Sequence, residues 1–193
     1  LKGEDSSTAN FGNVFHTAAE ILDKTGDVNA ALTAVLDSGV PCNEMKLIEA
    51  LTLLKLTNRL PPALTMADGT PGIEIKFRYL HSTIKTDFGA LNIYLAGTSD
   101  RIHIADDGYL EFLDYKTASD FKEASQRTKI EEYENSFQLP FYFYSAQRAG
   151  ILPKEALALI AQKRYRTKYI FVFYSGQPCR ITKINFQAYD DSF

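Results

Sequence analysis

Apolar residues recur along the first third of the chain at the spacing of a helix face, and from residue 73 onward at the spacing of strands. Val14, Ala18, Ile21 and Leu22 fall on one face and predict a helix over Phe11–Leu22, with Asn10 or Asn13 as its cap. His16 and Glu20 share one side of that helix. Two further helices are predicted, Val28–Leu36 and Glu44–Thr57, broken by Ser38-Gly39-Val40-Pro41 and ended before Pro61-Pro62. Ile73–Tyr79 alternates apolar and polar residues as a half-buried strand does. Leu91–Ala105 and Tyr109–Lys116 read as two more, so three consecutive strands make an antiparallel meander. Ser119–Thr128 reads as a polar connection, and Glu132–Ala149 as a helix that Pro140 either kinks or restarts. Pro153 opens a helix to about Lys163, and two last strands, Tyr169–Tyr174 and Arg180–Phe186, flank Ser175-Gly176-Gln177-Pro178.

The meander carries the first chemical signal. Asp106-Asp107-Gly108 reads as a three-residue hairpin loop with Gly108 in the left-handed position. With Ala105 opposite Tyr109, paired positions add to 214, which sets Asp100 across from Asp114 on one face, about 4.5–5.5 Å apart at Cβ. Lys116 shares that face by alternation. Like charges placed opposite each other destabilise a sheet, so such a pair points to a divalent cation held by oxygen ligands. The acid-x-Lys tripeptide says little by itself, since it also occurs at Glu44-Met45-Lys46, Glu74-Ile75-Lys76 and Asp120-Phe121-Lys122. Only Asp114 has an acid at matching register on a preceding hairpin strand. Glu74 sits mid-strand without one and stays outside the predicted metal set, as does Glu20.

Composition narrows the setting. A chain of 193 residues with 45% hydrophobic and 12% aromatic content can bury one domain spanning 1–193, helical over 11–60 and sheet-based over 73–193. Without an 18-residue apolar run no membrane span is expected, and the polar stretch Leu1–Asn10 lacks the order of a secretory signal, which points to the cytoplasm. A start at Leu rather than Met fits a piece excised or trimmed from a longer polypeptide. Cys42 and Cys179 are too few for a disulfide framework or a zinc quartet. A net charge of −3 excludes a uniformly basic coat, so nucleic-acid binding would come from a local patch and metal-bridged phosphates. The run Lys163, Arg164, Arg166 and Lys168, with Tyr165 inside it, reads either as a solvated helix end or as a phosphate track.

Taken in order, His16, Asp100, Asp114, Lys116, Gln138 and Tyr142 make the chain resemble the PD-(D/E)XK nuclease superfamily, specifically its RecB-like branch. The resemblance covers most of the chain. It is carried by Phe11-Gly12-Asn13-Val14-Phe15-His16, Gly97-Thr98-Ser99-Asp100-Arg101-Ile102, Asp114-Tyr115-Lys116-Thr117 and Gln138-Leu139-Pro140-Phe141-Tyr142. It implies an α+β fold with a restriction-endonuclease-like core: a mainly antiparallel meander sheet flanked by helices, with a helical insertion near the N-terminus. The periodicity produces the same order of elements. The resemblance also implies hydrolysis of DNA phosphodiesters with Mg²⁺ or Mn²⁺, in an exonuclease of DNA repair or recombination, with a helicase domain or subunit as partner.

In that scheme Asp100 and Asp114 hold the cation, joined by the Tyr115 carbonyl and by His16 as a nitrogen ligand. Lys116 orients or helps deprotonate the attacking water. Gln138 and Tyr142, one helical turn apart, position the water, the lysine or the DNA backbone, although Tyr142 is equally readable as a packing residue. Ala118 stands where many relatives have Gly after Lys-Thr, and the four cysteines of the iron–sulfur subgroup are absent, which excludes that cofactor. The alternative reading is a catalytically silent module of the same fold that binds DNA or a protein. Intact acids and Lys116 favour the enzyme.

Overall fold

The computed structural model describes residues 4–57, 60–119, 123–134, 136–174 and 179–187. In chain order the elements are α1 (Glu4–Thr25), α2 (Val28–Asp37), α3 (Glu44–Thr57), β1 (Ile73–Thr86), β2 (Gly89–Ile104) and β3 (Leu110–Ala118). Then come α4 (Glu123–Glu134), α5 (Gln138–Arg148), α6 (Lys154–Ala161), β4 (Tyr165–Phe173) and β5 (Arg180–Gln187). The strands form one sheet in the order β1-β2-β3-β4-β5, a mixed α+β architecture of the restriction-endonuclease-like kind. β1, β2 and β3 are antiparallel neighbours. The Leu110 N–H donates to the Arg164 carbonyl, and the Tyr174 N–H donates to the Ala118 carbonyl. The starts and ends of β3 and β4 are therefore matched, so these two strands run in the same direction, which requires the long crossover that α4 to α6 provide.

Several boundaries differ from the periodic pattern for identifiable reasons. α1 begins at Glu4, so Asn10 and Asn13 lie inside it rather than capping it. Its first turns carry no apolar repeat that could have marked them. α2 is capped at Asp27, whose side chain accepts the Asn29 N–H at 2.8 Å. α4 starts within the stretch read as a polar connection, because a helix without an apolar stripe leaves no periodic trace. Pro140 falls in the first turn of α5, where a missing N–H is tolerated, and the expected single helix is two. β1 runs to Thr86, past the expected end at Tyr79, because its outer half is mostly exposed and carries no half-buried pattern. Asp120 and the Ser175-Gly176-Gln177-Pro178 turn lie outside the described residues.

The chain divides into two compact units. The first comprises Leu1–Leu60, Asp114–Ser136 and Lys168–Phe186; the second comprises Pro61–Leu113, Phe137–Thr167 and Gln187–Phe193. In the first, Phe15, Ala18, Ala19 and Leu22 of α1 are buried, as are Ala31 and Val35 of α2 and Leu47, Ala50, Leu51 and Leu54 of α3. Phe15 meets Tyr115 of β3 edge to face, and Phe11 stacks on Tyr174. A Cβ on Gly12 would meet the Thr117 hydroxyl oxygen at 3.1 Å, so α1 approaches the end of β3 closely. In the second unit Phe77, Ile102, Leu110 and Phe112 from the sheet share a core with Ala146 of α5 and Ala156 of α6.

Two registers position the acids. β2 and β3 pair from Arg101–Leu113 to Ile104–Leu110, each pair adding to the expected 214. Gly108 at the loop has φ +80°, its N–H donating to the Ala105 carbonyl, and Ala105 donates to Tyr109. Described pairing between these strands stops at Arg101–Leu113, one step short of the two aspartates. β1 and β2 begin at their tip with Thr86 opposite Gly89, positions adding to 175. A bulge between Leu80 and Ser82 then shifts the sum to 174 from Leu80–Tyr94 inward.

Candidate active site

The inner register of β1 and β2 brackets Glu74 and Asp100 between the pairs Ile73–Arg101 and Ile75–Ser99, so these two acids stand opposite each other. Each offers a carboxylate oxygen within 4.8 Å of the other's. Asp100 is buried and Glu74 is half-buried. Side-chain alternation slips by one at this step. α5 receives Phe77 and Gly97 on one side of it, since Tyr142 meets the Phe77 ring at 5.5 Å and closes on Gly97. On the other side α5 receives Phe112, the partner of Ile102, through Phe143 at 5.4 Å. Strict alternation from residue 97 would send residue 102 to the opposite surface. At the same step, on β1, Glu74 has φ +53°, a left-handed conformation that is strained for a residue with a side chain.

Glu74 is the residue that sequence reasoning missed. Counted from the Thr86–Gly89 tip without a bulge, it would face Arg101, an ordinary acid-base pair. The extra residue at His81 moves it opposite Asp100 instead. Arg101 itself is buried and donates to the Pro61 carbonyl at 2.5 Å.

In the first unit Asp114 is buried and its Oδ2 lies 2.6 Å from the Lys116 ammonium, two positions along the same strand. The expectation that the two share a side of β3 holds. The ammonium also lies near the rings of Tyr133, at 5.3 Å, and Tyr169, at 5.8 Å, which shield it from water and strengthen its attraction to the acid. Tyr115 between them is buried, packs on Phe15 and donates its hydroxyl to Asp23 at 3.1 Å, so its ring serves the fold. His16 is half-buried on α1, its ring edge to face with that of Phe15.

Gln138 and Tyr142 are joined across one turn of α5, the Gln138 amide donating to the Tyr142 hydroxyl at 2.9 Å. Both are half-buried, and Tyr142 packs as well as hydrogen-bonds. Of the basic run, Arg166 binds Asp107 at 2.7 Å and Glu111 at 2.5 Å. Arg164 donates to the Asp107 carbonyl at 3.2 Å and lies against Gly108. Both arginines thus hold the β2–β3 loop. Lys163 is exposed with φ +55° at the end of α6, and Lys168 is half-buried on β4. Burial and a hydrogen bond to Glu49 push the Cys179 thiol up to about 11. That value removes Cys179 from the set of reactive groups.

Within the second unit two facing acids can offer oxygens to a hard cation, and within the first a buried acid holds a lysine; both are groups that metal-assisted hydrolysis of anionic substrates uses. The family model of the PD-(D/E)XK nuclease superfamily matches residues 2–177, and the chain belongs to that superfamily. Among curated proteins none matches the chain. Two acidic oxygens within 4.8 Å fit a divalent cation of the Mg²⁺ or Mn²⁺ type, which takes carboxylate oxygen ligands. No described helix is long and apolar enough to cross a membrane.

Proposed function

We propose that this chain is a divalent-metal-dependent deoxyribonuclease of the RecB-like branch, acting as an exonuclease in DNA repair or recombination alongside a helicase domain or subunit. The observation that carries the reading is the Glu74–Asp100 pair, acid opposite acid at the point where side-chain alternation slips. Like charges so placed cost stability unless a cation offsets them.

Asp100 and Asp114 are assigned as cation ligands, with the Tyr115 carbonyl and His16, and Glu74 joins them. The cation, when bound, offsets charge on the phosphate and lowers the pKa of a water. Lys116 is assigned to hold that water by hydrogen bonding and to place positive charge beside the phosphate, with Asp114 fixing the ammonium. Gln138 orients the Tyr142 hydroxyl, and the pair is assigned to position the DNA backbone. Lys163 and Lys168 are assigned a secondary phosphate contact.

The test is incubation with end-labelled linear and circular DNA, with Mg²⁺ or with chelator. Loss of linear DNA from its ends in Mg²⁺ alone is expected. Cutting of circles would replace the exonuclease assignment with an endonuclease. Binding without any cutting would identify a silent module of the same fold.

A further inference from the structure

The β1–β2 hairpin extends beyond the part that α5 covers, and its uncovered face has a composition of its own. α5 takes the face of Phe77 and Gly97. The pairs Lys76–Thr98, Arg78–Ala96 and Leu80–Tyr94 therefore place Lys76, Arg78 and Tyr94 on the other face, and Lys85 joins them farther out through its partner Ala90. All four are exposed, Tyr94 by 45%. The Arg78 guanidinium lies 4.0 Å over the Tyr94 ring and braces it. No carboxylate among the described residues pairs with Lys76, Arg78 or Lys85. Between Lys76 and Ala96 the only acid is Asp87 at the tip, so positive charge is concentrated here in a chain whose net charge is −3. Arg164 and Arg166, by contrast, are occupied within the fold.

Exposed cations flanking a braced, open aromatic ring are complementary to a polyanion whose bases are unstacked. The bases of a duplex keep their faces stacked and cannot meet the ring. We infer that this face is a track for single-stranded nucleic acid, in which Lys76, Arg78 and Lys85 meet phosphates and Tyr94 stacks a base. The track leads inward: Lys76 is two positions from Glu74, and Tyr94 lies about 20 Å along the strand from Asp100. The inference rests on the nucleic-acid substrate proposed above.

The test is fluorescence anisotropy of labelled oligothymidylate with the full chain in chelator, so that cleavage plays no part. The triple variant Lys76→Ala, Arg78→Ala, Lys85→Ala is expected to bind more weakly and to lower the slope of log affinity against log salt by about 2. Tyr94→Ala is expected to weaken binding about tenfold at unchanged slope, and Tyr94→Phe to restore it. Circular dichroism checks that the variants are folded. Wild-type affinity in both alanine variants, preference for duplex, or no binding by the wild-type chain would each overturn the track. Parallel incubation with Mg²⁺ separates the two readings. Binding that depends on the hairpin residues, without cutting, removes the nuclease and keeps the track, whereas cutting with binding independent of those residues does the reverse.

Discussion

The second unit handles its carboxylates in two opposite ways. Glu111, fully buried, is met by Arg166 at 2.5 Å and faces His103 Nε2 at 2.9 Å, and Arg166 reaches on to Asp107. Glu74 and Asp100 instead bring carboxylate oxygens within 4.8 Å of each other. In the first arrangement one guanidinium of the chain holds both carboxylates. In the second, two acids face each other at a step where the backbone is strained at Glu74. Carboxylates that serve the fold are matched from within. Those proposed here to serve chemistry face a second carboxylate.

The largest expected effect breaks the comparison at the chemical step. Asp100→Ala, Asp114→Ala or Lys116→Ala should lower cleavage of linear DNA at least about a thousandfold, near 4 kcal/mol of barrier, with far-ultraviolet circular dichroism unchanged. Cleavage equal to wild type would remove the residue concerned from the catalytic set. Glu111→Ala should do the opposite. It takes from the half-buried Arg166 its buried partner, leaving it Asp107 alone, and should lower unfolding stability by about 1–3 kcal/mol in a denaturant titration.

Next in size is the response to metal. Mn²⁺ or Mg²⁺ at about a hundred times its dissociation constant should stabilise the wild-type chain by about 2.7 kcal/mol. Glu74→Gln should lose most of that gain and yet match or exceed wild type in chelator, because one of two facing charges is gone. A Glu74→Gln chain that melts lower in chelator would show that Glu74 supports the fold after all.

The smallest effect is in pH. The hydrogen bond from Arg166 holds Asp107 below the ordinary carboxylate range. A lowered folded-state pKa contributes stability above the unfolded value, about 3.9, which is lost as pH falls through the folded one. The Asp107 side chain is 53% exposed, so the contribution is under about 1 kcal/mol. Wild type and Asp107→Asn should differ by that amount at neutral pH and converge in acid.

Much of this was legible in the residues. α3 occupies Glu44–Thr57 as its apolar spacing predicts, and the Asp106-Asp107-Gly108 loop sets the β2–β3 register because a short hairpin turn leaves only one alignment. The Asp114–Lys116 contact follows from alternation alone. Glu74 was not legible, because its partner depends on a bulge at His81 that no residue type announces and on a left-handed backbone in a glutamate. α4 was not legible because a polar helix has no stripe. The packing half of the Tyr142 reading needed the Gly97 neighbour, which lies far away in sequence.

The bulge has one more consequence. Because the extra residue is absorbed between Leu80 and Ser82, any outer hairpin that delivers Leu80 opposite Tyr94 leaves the inner pairs aligned. The protruding arm is in that sense modular. Replacing residues 81–93 with an Asn-Gly turn would close the hairpin directly at Leu80 and Tyr94 and leave Glu74 opposite Asp100. Arm length can therefore change without moving the acids at the hairpin's base, at the cost of Lys85, the outermost cation of the track inferred above.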